Sequence, residues 1–210
     1  MPDRPDAARS EGGERQHELA AQEIAERLAG AIEMHDPDTG GHLDRMASTT
    51  ALLGTKLKLD VNRVALLRTA AVMHDVGKIA TPDGVLRERG PLTSSERKRM
   101  ESHTIVGHEI LADSKSELLE MAATIALTHH EWFDGSGYPQ GLHNRQIPIE
   151  GRIVATADVL DALLSDRPYR PALTVEQATK LIAEESGAHF DPDVVDTLMD
   201  NLDAALVLRG

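Results

Sequence analysis

Apolar residues recur at helical spacing along most of this chain. Ala20, Ile24, Leu28 and Ile32 follow one another every four residues, which predicts a helix over about 16–36. Further helices are predicted over about 42–58, 61–76, 93–102, 103–112 and 116–131, and two more begin near residues 174 and 191. No convincing strand pattern interrupts them. The sequence therefore predicts an all-α fold.

Several of these helices carry start or stop signals. The segments TSSE at 93–96 and TVEQ at 174–177 have the spacing of capping boxes. Asp191 precedes a proline, a combination typical of an N-cap and a first helical position. Asp60 is a predicted N-cap for the helix over 61–76, and Gly77 is predicted to end that helix.

Two long segments rich in Gly and Pro do not fit a helix. They are GKIATPDGVLRERGPL (77–92) and WFDGSGYPQGLHNRQIP (132–148). Long loops inside a compact domain usually carry function. The polar segment 1–14 lacks apolar periodicity and is predicted to be a disordered tail or linker remnant, which leaves one domain over 15–210.

The composition narrows both the core and the chemistry. Only five of the 210 residues are aromatic, so the core must consist of Leu, Ala, Val, Ile and Met. Without cysteine, any transition metal must be held by histidine and carboxylate ligands. A formal net charge of −13 argues against binding to nucleic acid polymers or anionic lipid. The chain has no apolar run of about 18 residues and no signal-like start, so we expect a cytoplasmic protein without membrane insertion.

Histidines stand where predicted helices end. His74-Asp75 follows the apolar helix VALLRTAAVM, and His129-His130 follows MAATIALT. Each pair directly precedes one of the two long loops. Neighbouring helical positions point about 100° apart, so one pair can serve two metal ions. A single pair of this kind is ordinary helix surface, but two pairs in the same context favour metal ligation.

Three further residues complete this pattern. His42 lies at the mouth of the second predicted helix, His103 at the junction after the TSSE helix, and Asp158 within the apolar segment IVATADVLDAL. A buried carboxylate is costly without a cation, so Asp158 needs either a metal ion or an arginine. Successive candidates are 26–32 residues apart, so each helix can deliver a ligand to one central point. The other histidines are expected not to be ligands: His17, His35, His108, His143 and His189.

Four parts of the chain carry these residues: HDVGK (74–78), His103, HHEWFDGSGYP (129–139) and ADVLDALLSDRPYR (157–170). In this order and spacing, over about residues 20–200, they resemble the HD-GYP domain, a branch of the HD-type metal-dependent phosphohydrolases. The resemblance implies a helical bundle with a metal centre between helices. It also implies hydrolysis of cyclic di-GMP, a bacterial second messenger, to pGpG and in some members GMP. The metal ligands it implies are His42, His74, Asp75, His103, His129, His130 and Asp158.

The resemblance further implies which residues meet the substrate. Asp75 and Lys78 are expected to be catalytic, with Lys78 at the scissile phosphate. Trp132 and Phe133 would either contact a guanine or anchor their loop against the core. Glu131 and Asp134 would either orient the imidazoles or remain solvated loop acids. Substrate binding is implied for Lys78, Gly137, Tyr138, Pro139, Arg167 and Arg170.

Two divalent ions bridged by Asp75 would lower the pKa of a water molecule and provide a hydroxide for in-line attack on phosphorus. The mixed histidine and carboxylate set favours iron or manganese, and it also accommodates nickel, cobalt or zinc. Some relatives hold a third metal with a glutamate four residues before the first histidine. Asp38 occupies that place here, and its shorter side chain argues against a third ion. The positive charge of two ions makes an anionic substrate compatible with an acidic protein.

Two alternatives stay open. The first is another HD-type phosphohydrolase, for dNTPs, guanosine tetraphosphate or a hybrid cyclic dinucleotide; the histidine pair and the Gly-Tyr-Pro loop argue against the first two. The second is a catalytically silent scaffold in cyclic-dinucleotide signalling, although every implied ligand position is filled. A diguanylate cyclase or another signalling protein is a candidate partner. The helix over 16–36 has Ala-rich faces that would pair in a homodimer or pack on the core.

Overall fold

The computed structural model describes residues 19–20, 22–24, 27–32, 41–88, 90–166 and 170–209. Within these residues there is no strand, and an isolated bridge joins Ser186 and Phe190. The predicted all-α fold is confirmed. The helices are α1 (His42–Lys56), α2 (Val61–Ala71), α3 (Asp83–Leu86), α4 (Ser94–Glu101), α5 (His103–Leu111), α6 (Glu117–Thr128), α7 (Ile149–Leu163), α8 (Val175–Glu184), α9 (Pro192–Asp200) and α10 (Leu202–Val207), with short 3₁₀ helices at Val76–Ala80 and Asn144–Gln146.

The predicted capping signals are present. Thr93 accepts a hydrogen bond from the backbone of Glu96, whose side chain accepts one from the backbone of Thr93, so the first box is complete. Thr174 and Gln177 form the second box in the same way. Asp191 caps α9, whose first residue is proline. The segment 1–14 and much of the helix predicted over 16–36 lie outside the described residues, although 27–32 are helical.

The end of α2 differs from its prediction. The helix stops at Ala71, and the chain turns before the 3₁₀ helix that contains Gly77. A Cβ atom on Gly77 would lie 1.9 Å from the carbonyl oxygen of His103 and 2.5 Å from the backbone nitrogen of Gly107. Gly77 therefore permits close contact with α5 rather than ending a helix.

The core is aliphatic, as the composition predicts. Phe190 is the only aromatic ring among the buried hydrophobic residues of the described chain. Helix α1 packs on α2 and α7, and α6 packs on α2, α5 and α7, so the elements that carry the candidate ligands share one core. No helix in the described part of the chain is long and apolar enough to cross a bilayer. Residues buried at this shared core include Met46, Leu53, Leu67, Ile125, Ile153 and Leu160.

Candidate metal centre

The structure brings all seven candidate ligands together where these helices meet. Their ligating atoms form two groups, and within each group the atoms lie within 4.8 Å of one another. The rings of His74 and His129 are 5.1 Å apart between centroids, so the two groups are adjacent. The first, the four-ligand group, consists of Asp75, His103, His129 and His130, and the second, the three-ligand group, consists of His42, His74 and Asp158.

Most of these ligands lie at the ends of helices. His42 and His103 are the first residues of α1 and α5. His74 lies in the turn after α2, and His129 directly follows α6. Asp158 alone projects from the middle of a helix, α7. The chain thus delivers ligands from successive helices, as the spacing predicts.

Asp75 lies between the two groups. Its Oδ2 atom is 3.2 Å from Nε2 of His74, while its Oδ1 atom is 3.3 Å from Nε2 of His103 and 3.8 Å from Nε2 of His129. One carboxylate oxygen therefore faces each group, which is the geometry of a bridging ligand. Lys78 approaches the same carboxylate, with 2.7 Å between its Nζ and Oδ2 of Asp75.

Backbone carbonyls fix the orientation of three of the imidazoles. Nδ1 of His74 and of His103 lies 3.0 and 2.5 Å from the carbonyl oxygen three residues earlier. Nδ1 of His129 lies 3.0 and 3.1 Å from the carbonyls four and three residues earlier. Because a carbonyl only accepts, Nδ1 carries a proton in each ring, so Nε2 is the nitrogen that faces the centre and that offers a lone pair when the ring is neutral.

A carboxylate orients the fourth imidazole. Nδ1 of His42 donates to Oδ2 of Asp161 over 2.7 Å, and Asp161 is 1% exposed. Arg45 donates to Oδ1 over 2.9 Å, and Arg209 reaches the same oxygen from beyond α10. Sequence reasoning considered an arginine for Asp158 and missed Asp161. The available signal was a second acid three residues along the same apolar helix.

Burial and neighbouring charges shift the pKa values of several candidate ligands. Burial lowers the pKa of His74, but the neighbouring carboxylates of Asp75 and Asp158 together outweigh it and raise the pKa to about 9. Burial raises the pKa of Asp75, but the charges of Lys78 and His74 outweigh it and hold the pKa well below its usual range. Burial and neighbouring imidazoles lower the pKa of His129 strongly and that of His130 to about 3. The last two rings are therefore neutral, as a metal ligand must be.

The residues fit divalent transition metals. Nε2 of His74 and Oδ1 of Asp75 are buried and make no hydrogen bond. Nε2 of His103 faces Nε2 of His129 at 3.5 Å, so two lone pairs point at each other. Buried acceptors without donors are costly unless a cation lies between them. Imidazole and carboxylate together suit iron, manganese, nickel, cobalt or zinc rather than magnesium or calcium.

The loop after the histidine pair folds back onto that pair. A Cβ atom on Gly137 would lie 2.2 Å from the backbone nitrogen of Trp132, so only glycine fits there. The carboxylate of Glu131 is buried and accepts hydrogen bonds from the backbone N–H groups of Gln140 and Leu142, over 2.7 and 2.9 Å. Glu131 therefore holds the loop and neither orients an imidazole nor remains solvated. Asp134 is exposed and bonds within the loop, to Ser136.

The loop aromatics divide between two roles. Trp132 stacks on His189, with 4.4 Å between ring centroids, which favours loop anchoring. Tyr138 stacks on His130 with 4.8 Å between centroids. Burial raises the pKa of Tyr138, and the negative charges of Asp75 and Glu101 raise it further, so its phenol stays neutral. Pro139 follows Tyr138 through a cis peptide bond.

The remaining predicted residues belong to neither group or lie outside the described chain. Arg170 donates to the carbonyl of Ala162 over 2.7 Å, near the C-terminal end of α7. Among the histidines expected not to be ligands, three belong to neither group: His108, His143 and His189. The predictions for four residues fall outside the described residues: His17, His35, Asp38 and Arg167.

A helical bundle with paired histidine and aspartate side chains that could hold metal ions is typical of an HD-type metal-dependent phosphohydrolase domain. The model of the HD domain family matches residues 26–194, and the chain belongs to that family. The Gly-Tyr-Pro triplet at 137–139 places it in the HD-GYP branch.

Curated relatives agree with this assignment. The cyclic di-GMP phosphodiesterase response regulator RpfG of Xanthomonas campestris is 46% identical over 178 residues, covering 85% of this chain and 47% of that protein. The 3'3'-cGAMP-specific phosphodiesterase 2 of Vibrio cholerae is 39% identical over 190 residues, covering 90% and 36%. A cyclic di-GMP phosphodiesterase of Thermotoga maritima is 41% identical over 177 residues, covering 84% and 48%. The chain thus spans half or less of the length of these relatives.

Solved structures share the fold. The cyclic GMP-AMP-specific phosphodiesterase V-cGAP3 of Vibrio cholerae matches with a TM-score of 0.69 at 18% identity, covering 90% of this chain and 51% of that one. The HD domain of the phosphodiesterase PgpH from Listeria monocytogenes, in complex with cyclic di-AMP, matches with a TM-score of 0.56 at 21% identity, covering 85% and 96%. At these identities the likeness concerns the fold alone.

Proposed function

We propose that this chain is a metal-dependent phosphodiesterase that hydrolyses cyclic di-GMP to pGpG. The observation that carries the proposal is the convergence of seven histidine and aspartate ligands into two adjacent groups with Asp75 between them. Relatives at 46% and 41% identity are named as cyclic di-GMP phosphodiesterases, which supports the choice of substrate.

We assign the site two divalent ions, iron or manganese. When bound, they would neutralise phosphate charge and lower the pKa of an attacking water molecule. The three imidazoles with carbonyl-bonded Nδ1 would present fixed lone pairs, so little reorganisation would accompany binding. A third ion at Asp38 is not part of the proposal.

Lys78 is assigned to the substrate phosphate. Its ammonium lies 2.7 Å from Asp75 and is 18% exposed, so it borders the centre and still reaches solvent. A partly buried ammonium stabilises charge that develops on a non-bridging phosphate oxygen better than an exposed one does. Arg167 and Arg170 are assigned to substrate binding, where their positive charges would offset the acidic net charge of the chain.

A turnover assay tests the proposal. Apoprotein reconstituted anaerobically with Fe²⁺ or Mn²⁺ should convert cyclic di-GMP to pGpG, and chromatography measures the product. Asp75→Asn should reduce turnover by at least about 10³-fold, because it removes the anionic bridge between the two groups. Asp196→Asn, the same change at an exposed position of α9, should leave turnover unchanged. Metal-loaded protein without turnover on any cyclic dinucleotide would favour the scaffold alternative.

A hybrid cyclic dinucleotide is the second candidate substrate. A relative at 39% identity is named as specific for 3'3'-cGAMP. Both substrates present the same phosphodiester to the metal centre and differ in one base, so kcat should be similar and KM should differ. If kcat/KM were higher for 3'3'-cGAMP than for cyclic di-GMP, 3'3'-cGAMP would be the preferred substrate.

A further inference from the structure

His130 is supported differently from the other histidine ligands. The rings of His42, His74, His103 and His129 each engage an oxygen through Nδ1. No hydrogen bond of the His130 ring occurs in the described chain. Its contacts are instead with other rings, at 4.0 Å to His129, 5.1 Å to His103 and 4.8 Å to Tyr138 between centroids.

An imidazole without a hydrogen bond on its second nitrogen is poorly fixed. Its terminal torsion is broad and roughly two-fold, so the ring samples orientations in which no nitrogen faces the metal group. The planes of His130 and Tyr138 are inclined by only 30°, which makes the phenol a wall against one face of the imidazole. Such a wall limits rotation in the way that a hydrogen bond does for the other four rings.

The backbone fixes this wall onto His130. The N–H group of Tyr138 donates to the carbonyl of His130 over 3.1 Å. A Cβ atom on Gly137 would lie 2.5 Å from that same carbonyl oxygen, so the chain returns as closely as glycine allows. Glu131 then clamps the segment beyond Tyr138 through its bond to the N–H group of Gln140. The phenol is therefore built into the histidine pair and does not hang free in the cleft.

We propose that Tyr138 is a positioning residue for His130: its ring holds that imidazole in the orientation that completes the four-ligand group. The role belongs to the aromatic face and not to the hydroxyl. It rests on the metal binding in the proposed function and differs from substrate contact, the role that the resemblance implies for this tyrosine. Loss of a group that orients a ligand typically weakens metal binding by 10–100-fold.

Metal titration without substrate tests this inference. Mn²⁺ added to the apoprotein and followed by calorimetry and electron paramagnetic resonance should show two equivalents and an exchange-coupled pair. In Tyr138→Ala, one equivalent should bind about 10–100-fold more weakly, and the coupled signal should be lost at stoichiometric Mn²⁺. The second equivalent, at the three-ligand group, should keep its affinity. Tyr138→Phe should restore both equivalents to within about two-fold of the wild type.

A matched control separates this role from general loop support. Trp132→Ala removes a larger ring from the same loop, but that ring stacks on His189 and not on a ligand. It should leave both Mn²⁺ affinities unchanged. If Tyr138→Ala is too unstable to purify, Tyr138→Leu fills the space without an aromatic face and should show the same weakened equivalent.

Three outcomes overturn the inference. Tyr138→Ala could bind both equivalents with unchanged affinity, Tyr138→Phe could lose affinity as much as Tyr138→Ala, or Trp132→Ala could weaken the same equivalent. Unchanged Mn²⁺ binding with a raised KM in Tyr138→Ala would establish substrate contact instead. Failure of the proposed function appears separately, as wild-type protein that binds Mn²⁺ without hydrolysing a cyclic dinucleotide.

Discussion

Replacing Asp161 by asparagine should destabilise the fold and weaken the three-ligand group at once. Asp161 is 1% exposed and accepts from three cationic or imidazole donors: His42, Arg45 and Arg209. Asparagine preserves the shape and one acceptor oxygen. It removes the negative charge and places a donor where an acceptor stood, opposite groups that only donate.

The structure sets the expected magnitude. Removing one partner of a buried ion pair usually costs 3–5 kcal/mol, because the other charge is left uncompensated. The side chains of Arg45 and Arg209 are 21% and 10% exposed, so water compensates part of that cost. We therefore expect a loss of about 3 kcal/mol in the free energy of unfolding. For a chain of this length that corresponds to a fall in Tm of about 6–12 °C.

Urea unfolding of the apoprotein, monitored by circular dichroism, measures the loss in the free energy of unfolding, provided that the m-value is the same in wild type and variant. Burial raises the pKa of Asp161, but hydrogen bonds from His42 and Arg45 outweigh it and hold the pKa well below its usual range. A depressed carboxyl pKa contributes stability above the unfolded value of about 3.9, and that stability is lost as the pH falls through the folded value. The difference in the free energy of unfolding between wild type and Asp161→Asn should be constant from about pH 6 to 8 and should become smaller below about pH 4.

Asp196→Asn, at an exposed position of α9, is the matched control for the change in charge. A loss for Asp161→Asn below about 1 kcal/mol, or equal to the loss in the control, would refute the reasoning. The metal measurement is independent of the stability measurement. Mn²⁺ binding to the three-ligand group should weaken by about 10–100-fold, since His42 loses its charged acceptor.

Two substitutions and one proton-release measurement probe the centre further. Gly77→Ala should abolish hydrolysis and Mn²⁺ binding, because the new Cβ atom would lie 1.9 Å from a carbonyl oxygen of α5. The control Gly84→Ala, whose new Cβ atom has no other atom within 4 Å, should remain active. Equal activity of the two variants would contradict the close contact at Gly77. Lys78→Met should lower kcat by about 10²–10³-fold at saturating metal, while the protein still binds two equivalents of Mn²⁺. If the variant bound only one equivalent of Mn²⁺, Lys78 would instead have a structural role in the metal site. Metal binding at pH 8 should release the proton of His74, whose pKa is about 9, in addition to a proton lost by a metal-bound water molecule. The release is measured by comparing heats of binding in buffers of different ionisation enthalpy. No release would show that this imidazole is already neutral.

Local signals in the sequence predict much of this molecule. The capping boxes at Thr93 and Thr174 and the Asp191 cap depend on residues within three positions, and the structure has all of them. The convergence of the ligands follows from spacing, because a helix and its return take about 30 residues. These features need no knowledge of which residues meet across the fold.

Buried carboxylates are the part that sequence reasoning misassigns or misses. Asp161 pairs with Arg45, 116 positions earlier, and with Arg209, 48 positions later. Glu131 bonds to backbone N–H groups 9 and 11 positions later, in a loop whose path the sequence does not specify. Gly77 likewise depends on a close approach to α5 that only the packed helices define. An acid in an apolar context thus predicts a partner without identifying it.

The place of each histidine in its helix determines what supports it. The last four carbonyls of a helix have no intrahelical partner, and they are available to a histidine that follows the helix. His74, His103 and His129 each use such a carbonyl, at the ends of α2, α4 and α6.

His42 begins a helix, where free N–H groups and no free carbonyls are found, so its Nδ1 needs the carboxylate of Asp161. His130 follows a histidine that already engages two carbonyls of α6, and its ring rests on Tyr138. Asp161 and Tyr138 are therefore the two supports that do not come from a helix-end carbonyl. Loss of either one should weaken one metal group and leave the other intact.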